Sequence, residues 1–433
     1  MAPQAAAQGS PTVSIAPLLN KLFACSNPKT HVDEIAAAFE LIFENRLSVV
    51  QCASFLTLLH FSRRDREPLV IAKCAERMRD AASQVDRKAL REFVRSRGRK
   101  EGSYRGGLCD IVGTGGDGHS TFNVSTTASI CASSLLLLGK HGNRASSSAS
   151  GSADLLQAIQ PQAPNIEAIT STTLPELYKK TNYTFLFAPN FHPGMRHVAP
   201  IRKDLGFRTI FNLLGPLTNP VENAIEARII GVAMQSLGPI FAEALRMSGA
   251  KKALVVCGAE DLDEISCAGK TYCWRLVERP NPGFRGPKDE EDEDYTTSDD
   301  EAQPRTLVDI EALELHPSDF GLPVHPLTEV SPGKLPHENA ETLMKLLRNE
   351  LPRNNAVLDF VLLNTAALFV VSGICDSDKS SMGHGDDGKV IQAKGPGGLR
   401  WKEGVRRARW AIESGEALAS LEKFVDASNS VKG

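Results

Sequence analysis

Residues 108–126 read LCDIVGTGGDGHSTFNVST. The first six form an apolar run broken only by Asp110. Such a run, ended by glycine, predicts a short buried strand. Four of the six residues at 113–118 are glycine. Glycine turns sharply and lets bare N–H groups approach a ligand. Asn123, Ser125 and Thr126 follow where a helix is expected to start, and a helix N-terminus offers free N–H groups and a positive dipole end. Together these make a phosphate cradle. The spacing is neither the GxxxxGKS/T loop of nucleotide triphosphatases nor the GxGxxG dinucleotide loop. A turn with no ligand is the plain alternative.

Working outward, TFLFAP at 184–189 and ALVVCG at 253–258 read as further buried strands. Helical stretches are expected at 123–138, 151–160, 174–180 and 235–248. Apolar strands alternating with helices predict an α/β sheet with helices packed on it, and ligands favour the carboxyl ends of such strands. Upstream, residues 14–93 carry apolar positions at helical spacing, with Ser48 as cap of a helix from Val49 to His60. Residues 94–107 are basic and Gly-rich and read as a linker. The expected division is a small helical domain at 1–103 and an α/β domain at 104–433. Two stretches, the acidic 281–306 and the Gly-rich 376–399, read as exposed, flexible insertions. Residues 336–350 and 354–371 look helical, and 401–427 look like a helix pair or one long helix.

The 433 residues include 49 basic and 52 acidic ones, a formal net charge of -3. That balance argues against bulk attraction to nucleic acid or an anionic membrane. The start, MAPQAAAQGSPTVS, lacks the basic and apolar regions of a secretory signal. ASICASSLLLL at 128–138 is too short and too serine-rich to span a bilayer. Nine cysteines are scattered without a CxxC pair. They read as buried thiols of a reducing compartment, hence a cytoplasmic protein. Cys257, Cys267 and Cys273 match no usual zinc spacing.

Three other segments carry chemistry. KHGNRASSSASGSAD at 140–154 sets Lys140 and Arg144 before a serine run, a mix suited to an anionic ligand. Ser147, Ser148 and Ser152 also admit a capping role. DLDEIS at 261–266 places Asp263 beside Glu264. Hard cations want such oxygens, and Mg²⁺ is usually shared with substrate phosphates. HPGMRHVAPIRKDLGFRTIFNLLGPLTNP at 192–220 spaces Arg196, Arg202 and Arg208 among apolar anchors. One of these could hold a carboxylate bidentately, while Arg196 and Arg208 also read as exposed helix arginines. His192 and His197 have no visible carboxylate partner and read as packing or capping residues. No GxSxG or HExxH pattern occurs, so the segments point to a reaction driven by charge placement.

Taken together, these segments resemble the anthranilate phosphoribosyltransferase family. The similarity runs from about residue 14 to 427, outside the two insertions and a longer junction near 85–107. The terminal WKEGVRRARWAIESGEALASLEKFV resembles the family's last helices. The insertions resemble those of fungal members, and Arg228 stands where many members carry glutamine. The resemblance implies a small N-terminal helical domain, completed by a segment near 202–220, beside a large α/β domain of the nucleoside-phosphorylase-like type. It implies a homodimer joined through the helical domain. The implied reaction joins anthranilate to the ribosyl group of 5-phosphoribosyl 1-diphosphate (PRPP), with Mg²⁺, two ions per site, on the route to tryptophan. Gly113, Gly116, Asp117, Thr121, Asn123, Val124, Ser125, Thr126, Lys140, Ser147, Ser148 and Ser152 would bind the donor. Ser125, Asp263 and Glu264 would face the metal. Gly113, His141, Asn143 and Arg202 would take anthranilate, with Arg202 on its carboxylate. Charge stabilisation falls to Lys140 and Mg²⁺, and no general base is assigned. Competing readings are a pyrimidine nucleoside phosphorylase on the same scaffold and a nucleic-acid-binding relative without transferase activity.

Overall fold

The computed structural model describes residues 11–24, 31–97, 99–145, 149–284, 305–331 and 335–431. Four helices open the chain: α1 (Ala16–Phe23), α2 (Val32–Phe43), α3 (Val49–Phe61) and α4 (Pro68–Asp80). Their starts follow local chemistry. Ser48 accepts a hydrogen bond from the Gln51 amide at the head of α3 (3.3 Å), and Pro68 opens α4, where its missing N–H costs nothing. Their shared core is completed by later residues, including Val198, Phe211 and Leu214. Phe39 of α2 stacks on Phe211 with ring centroids 4.8 Å apart. The helical unit is thus closed by the helices Met195–Leu205 and Phe211–Leu214.

The next helix, α5 (Arg87–Arg97), belongs elsewhere. Its buried Leu90, Phe93 and Val94 join the core of the sheet, and Phe93 stacks on Tyr178 at 5.1 Å. By packing, the helical unit ends after α4, well before residue 103. The supposed linker is also tied down: the fully buried Arg407 bonds both Glu101 (2.7 Å) and Glu403 (2.8 Å).

Seven strands follow: β1 (Leu108–Gly113), β2 (Leu137–Gly142), β3 (Tyr183–Phe187), β4 (Ile225–Gly231), β5 (Lys252–Gly258), β6 (Thr271–Pro280) and β7 (Thr306–Leu315). They form one sheet in the order β3-β2-β1-β4-β5-β6-β7. The first five run parallel and the last two antiparallel. The helix expected over 123–138 is two elements. Helix α6 (Val124–Ala132) stops, and the leucines that follow lead into β2. A fully buried apolar run has no face to reveal, so its period cannot separate helix from strand. β4, β6 and β7 were likewise not expected.

Alternate residues of β5 serve opposite faces, as strand geometry requires. Leu254 and Val256 join α6 and the long helix Ala356–Ser372. Val255 and Cys257 join the helix Gly238–Met247 and, through it, the helical unit. One apolar core therefore runs from the sheet into the N-terminal helices. No helix among the described residues is long and apolar enough to cross a membrane. Eight cysteines are described, and all are buried and unpaired.

The acidic stretch joins β6 to β7, and its residues 285–304 lie outside the described ones. The Gly-rich stretch 376–399 is irregular but anchored, against the expectation of a loose insertion. Arg406 holds Asp386 (2.9 Å), Trp410 donates to the His384 carbonyl (2.9 Å), and Glu403 accepts from the Ile391 amide (2.9 Å).

Candidate active site

The site begins where β1 and β4 end. Gly113 and Gly231 are register partners, and the Asp263–Glu264 turn lies over both. A Cβ on Gly113 would stand 2.3 Å from the Asp263 carboxylate, and one on Gly231 would stand 1.6 Å from the Asp263 carbonyl. Bare backbone is what lets the acidic turn settle on the sheet.

Asp263 accepts a hydrogen bond from the Gly115 amide at 2.6 Å. Burial, helped by the nearby Asp117 charge, pushes its carboxyl up to about 7. Burial, then Asp263 and Asp117, hold Glu264 well above the usual carboxylate range, although Thr121 donates to it at 3.4 Å. Such a cluster is short of positive charge. Lys140, wholly buried on β2, donates to the Ile111 carbonyl (2.7 Å) and lies 3.5 Å from the Ser125 hydroxyl. Burial lowers its pKa, while Asp110 and Glu264 oppose that. Ser125, Asp263 and Glu264 line one small crevice together with Asn364. Hydroxyl and carboxylate oxygens form a donor set suited to Mg²⁺. Among the described residues, no three His, Cys, Asp or Glu side chains converge on one metal point, so an ion here would draw its remaining ligands from elsewhere.

The glycine loop is held open by backbone that only glycine adopts readily. Gly115, Gly116 and Gly118 have φ of 67°, 73° and 82°. Arg208 donates to the carbonyls of Gly116 (2.8 Å) and Gly115 (2.9 Å). It is therefore not a helix arginine. Gly206, in left-handed conformation, ends the preceding helix. That stop was readable in the sequence and put Arg208 beyond the helix. Asn123, at the head of α6, turns its side chain to Ser150 and Asn339, bracing the loop from behind. Val124 and Thr126 are buried in α6.

On the other side of β2, His141 and His192 lie with ring centroids 5.1 Å apart. His141 Nδ1 pairs with the Gly215 carbonyl (3.3 Å) and His192 Nε2 with the Thr218 carbonyl (3.0 Å). A carbonyl needs a donor, so each bonded nitrogen carries the proton. Burial depresses the two pKa values to about 3 and about 4, so both rings are neutral near pH 7. Arg202 lies over Phe211 (5.3 Å) and approaches the Asn212 side-chain oxygen at 3.4 Å. Partial burial lowers its pKa, and no carboxylate among the described residues pairs with it. A half-buried guanidinium without an acidic partner has the fork geometry to take a carboxylate.

The other expected residues make local contacts in this structure. Arg144 is spent on Gln157 and Glu167 at the surface. Asn143 is exposed and accepts from the Arg144 amide. Ser152 is the first residue of the helix Ser152–Gln157, with Gly151 at the cap. Ser147 and Ser148 lie outside the described residues. A cavity of 210 Å³ lies between Gly116, Arg208 and Asn212 on one side and His60, Asp65 and Arg66 of the helical unit on the other.

Fold and site together define a two-part protein, a helical bundle set beside an α/β domain with an anion-binding loop at its strand ends. Residues 17–82 match the helical bundle domain of the glycosyl transferase family, and residues 105–280 and 296–418 match its a/b domain. The chain is 37% identical to the anthranilate phosphoribosyltransferase of Schizosaccharomyces pombe over 92% of each chain. It is 34% identical to the Saccharomyces cerevisiae protein of that name, over 88% of this chain and 86% of that one. A solved structure of the Saccharomyces cerevisiae enzyme in complex with PRPP and Mg superimposes with a TM-score of 0.74 at 30% identity, covering 96% of this chain and 99% of that one. The chain belongs to the anthranilate phosphoribosyltransferase family. A special likeness to fungal members is less distinct, since a bacterial relative from Herpetosiphon aurantiacus is 33% identical over 92% of this chain and 94% of its own.

Proposed function

We propose that the protein transfers the 5-phosphoribosyl group of PRPP to the amine of anthranilate and releases diphosphate, on the route to tryptophan. The observation that carries this reading is the half-buried Asp263–Glu264 pair beside Lys140 and the glycine loop, set in a chain 37% identical to a named anthranilate phosphoribosyltransferase. Ser125, Asp263 and Glu264 would hold Mg²⁺, with two ions per site. Bound there, the metal supplies charge neutralisation to the departing diphosphate.

The chain's own groups do the rest. Gly113, Gly116, Asp117, Thr121, Asn123, Val124 and Thr126 shape the donor side, and the family resemblance adds Ser147, Ser148 and Ser152 to the donor-binding set. Lys140 places a fixed positive charge where negative charge grows. The C1–oxygen bond breaks with its electron pair leaving on diphosphate, and the amine nitrogen bonds C1. The amine is neutral at pH 7, so no strong base is required before attack. Its proton leaves afterwards to water or diphosphate. Arg202 fixes the anthranilate carboxylate, and the neutral His141, with Gly113 and Asn143, lines the aromatic side.

The protein works in the cytoplasm as a homodimer joined through the helical unit, with no nucleic acid or membrane partner. The free buried thiols support the compartment, and the exposed Phe23, Val49, Val50 and Phe61 supply apolar surface for the dimer. The direct test mixes purified protein with anthranilate, PRPP and Mg²⁺ and follows anthranilate fluorescence. A fall that stops on chelation is the expected result. Constant fluorescence with folded protein and metal present would sink the reading.

A further inference from the structure

Arg208 joins the glycine loop to the helical unit. Its guanidinium lies on the glycine loop, bonding two successive carbonyls at 2.8 and 2.9 Å. The fit depends on bare backbone, since a Cβ on Gly116 would stand 1.8 Å from Arg208 Nη1. Asp263 holds the same loop from the other side, through the Gly115 amide. The loop is therefore gripped by a cation on its carbonyls and an anion on its N–H. Only one of these grips comes from the sheet.

The other grip comes from the helical unit. Phe207 lies against the His60 ring of α3 (5.7 Å). Ile210, Phe211 and Leu213 are buried in the helical core. Between them, the Thr209 amide donates to the Asn212 side-chain oxygen (3.0 Å), which Arg202 also approaches at 3.4 Å. The arginine that clamps the donor loop and the arginine free to take a carboxylate thus hang from one short segment, braced by one asparagine.

We propose that Arg208 is a positioning residue that sets the donor-loop conformation according to the seating of the helical unit. Its role in turnover rests on the donor reading above, whereas its grip on the loop does not. Arg208 is exposed, so its loss leaves the core intact.

The test compares wild type with Arg208→Ala and Arg208→Lys. The first readout is hydrogen exchange of peptides covering 113–124, without substrates. Arg208→Ala is expected to speed exchange there and leave peptides of the helical core unchanged. The second is steady-state kinetics. The KM for PRPP is expected to rise about tenfold, with that for anthranilate within about threefold, the loss of two charge-assisted bonds at an exposed site. A small guanidinium salt should recover part of the loss in Arg208→Ala, and Arg208→Lys should fall between, since one ammonium cannot match the fork. Unchanged exchange at 113–124 would overturn the proposal, and so would an equal rise in both KM values without guanidinium rescue. If wild type shows no turnover, the proposed function fails, and the exchange comparison still decides whether Arg208 holds the loop.

Discussion

Arg202 and the histidine pair show how burial assigns roles to single residues. Arg202 is half-buried beside Phe211 and has no acidic partner among the described residues. Arg202→Ala is expected to raise the KM for anthranilate by about tenfold or more, the scale of one charge-assisted pair, with little change for PRPP. An equal loss for both substrates would remove the assignment. His141 and His192 give a second expectation. Their folded pKa values lie below the unfolded value of about 6.5. Below that value the unfolded chain binds protons that the folded chain refuses. Their contribution to stability is therefore present above about pH 6.5 and is lost as pH falls toward 4 and 3. At pH 5 the loss is about 2 kcal/mol for each ring. Melting temperatures from pH 7.5 to 5 should fall less steeply in His192→Asn than in wild type. Parallel curves would show that the pair does not titrate in this way.

Elements were legible in proportion to how plainly their ends are marked. β1, β3 and β5 are short apolar runs with clear breaks, and they fall where periodicity placed them. β2 was hidden because Leu135–Leu138 continue the apolar texture of α6. β6 and β7 were hidden because they lie at the sheet's antiparallel end and expose polar side chains. The glycine loop and the Asp263–Glu264 pair were readable as chemistry, since few other roles collect glycines and acids at strand ends. The Arg208 clamp, the tilted contact of His141 with His192 and the Asn339 brace were not, because each joins residues far apart in the chain. The strand ends also carry a prediction. Gly231→Ala would drive the Asp263–Glu264 turn off the sheet, and a shift near 1 Å costs about a hundredfold in rate. The Mg²⁺ concentration giving half-maximal activity should rise as well. An unchanged metal requirement would mean that the turn does not need that glycine.

At the scale of the molecule, the two parts share one apolar core through the helix Gly238–Met247, which packs on β5 and α4. Calorimetry is therefore expected to show one main unfolding transition for the chain, because neither part can melt without baring the other's core. Two well-separated peaks would contradict this. The assembly of the helical unit also bears on synthesis. Its core is closed by Val198, Phe211 and Leu214, far downstream of α4. On the ribosome, α1–α4 emerge first and wait with Phe39 unshielded while β1, β2 and β3 are made. These helices are made before the sheet, yet their core is closed only after its first three strands.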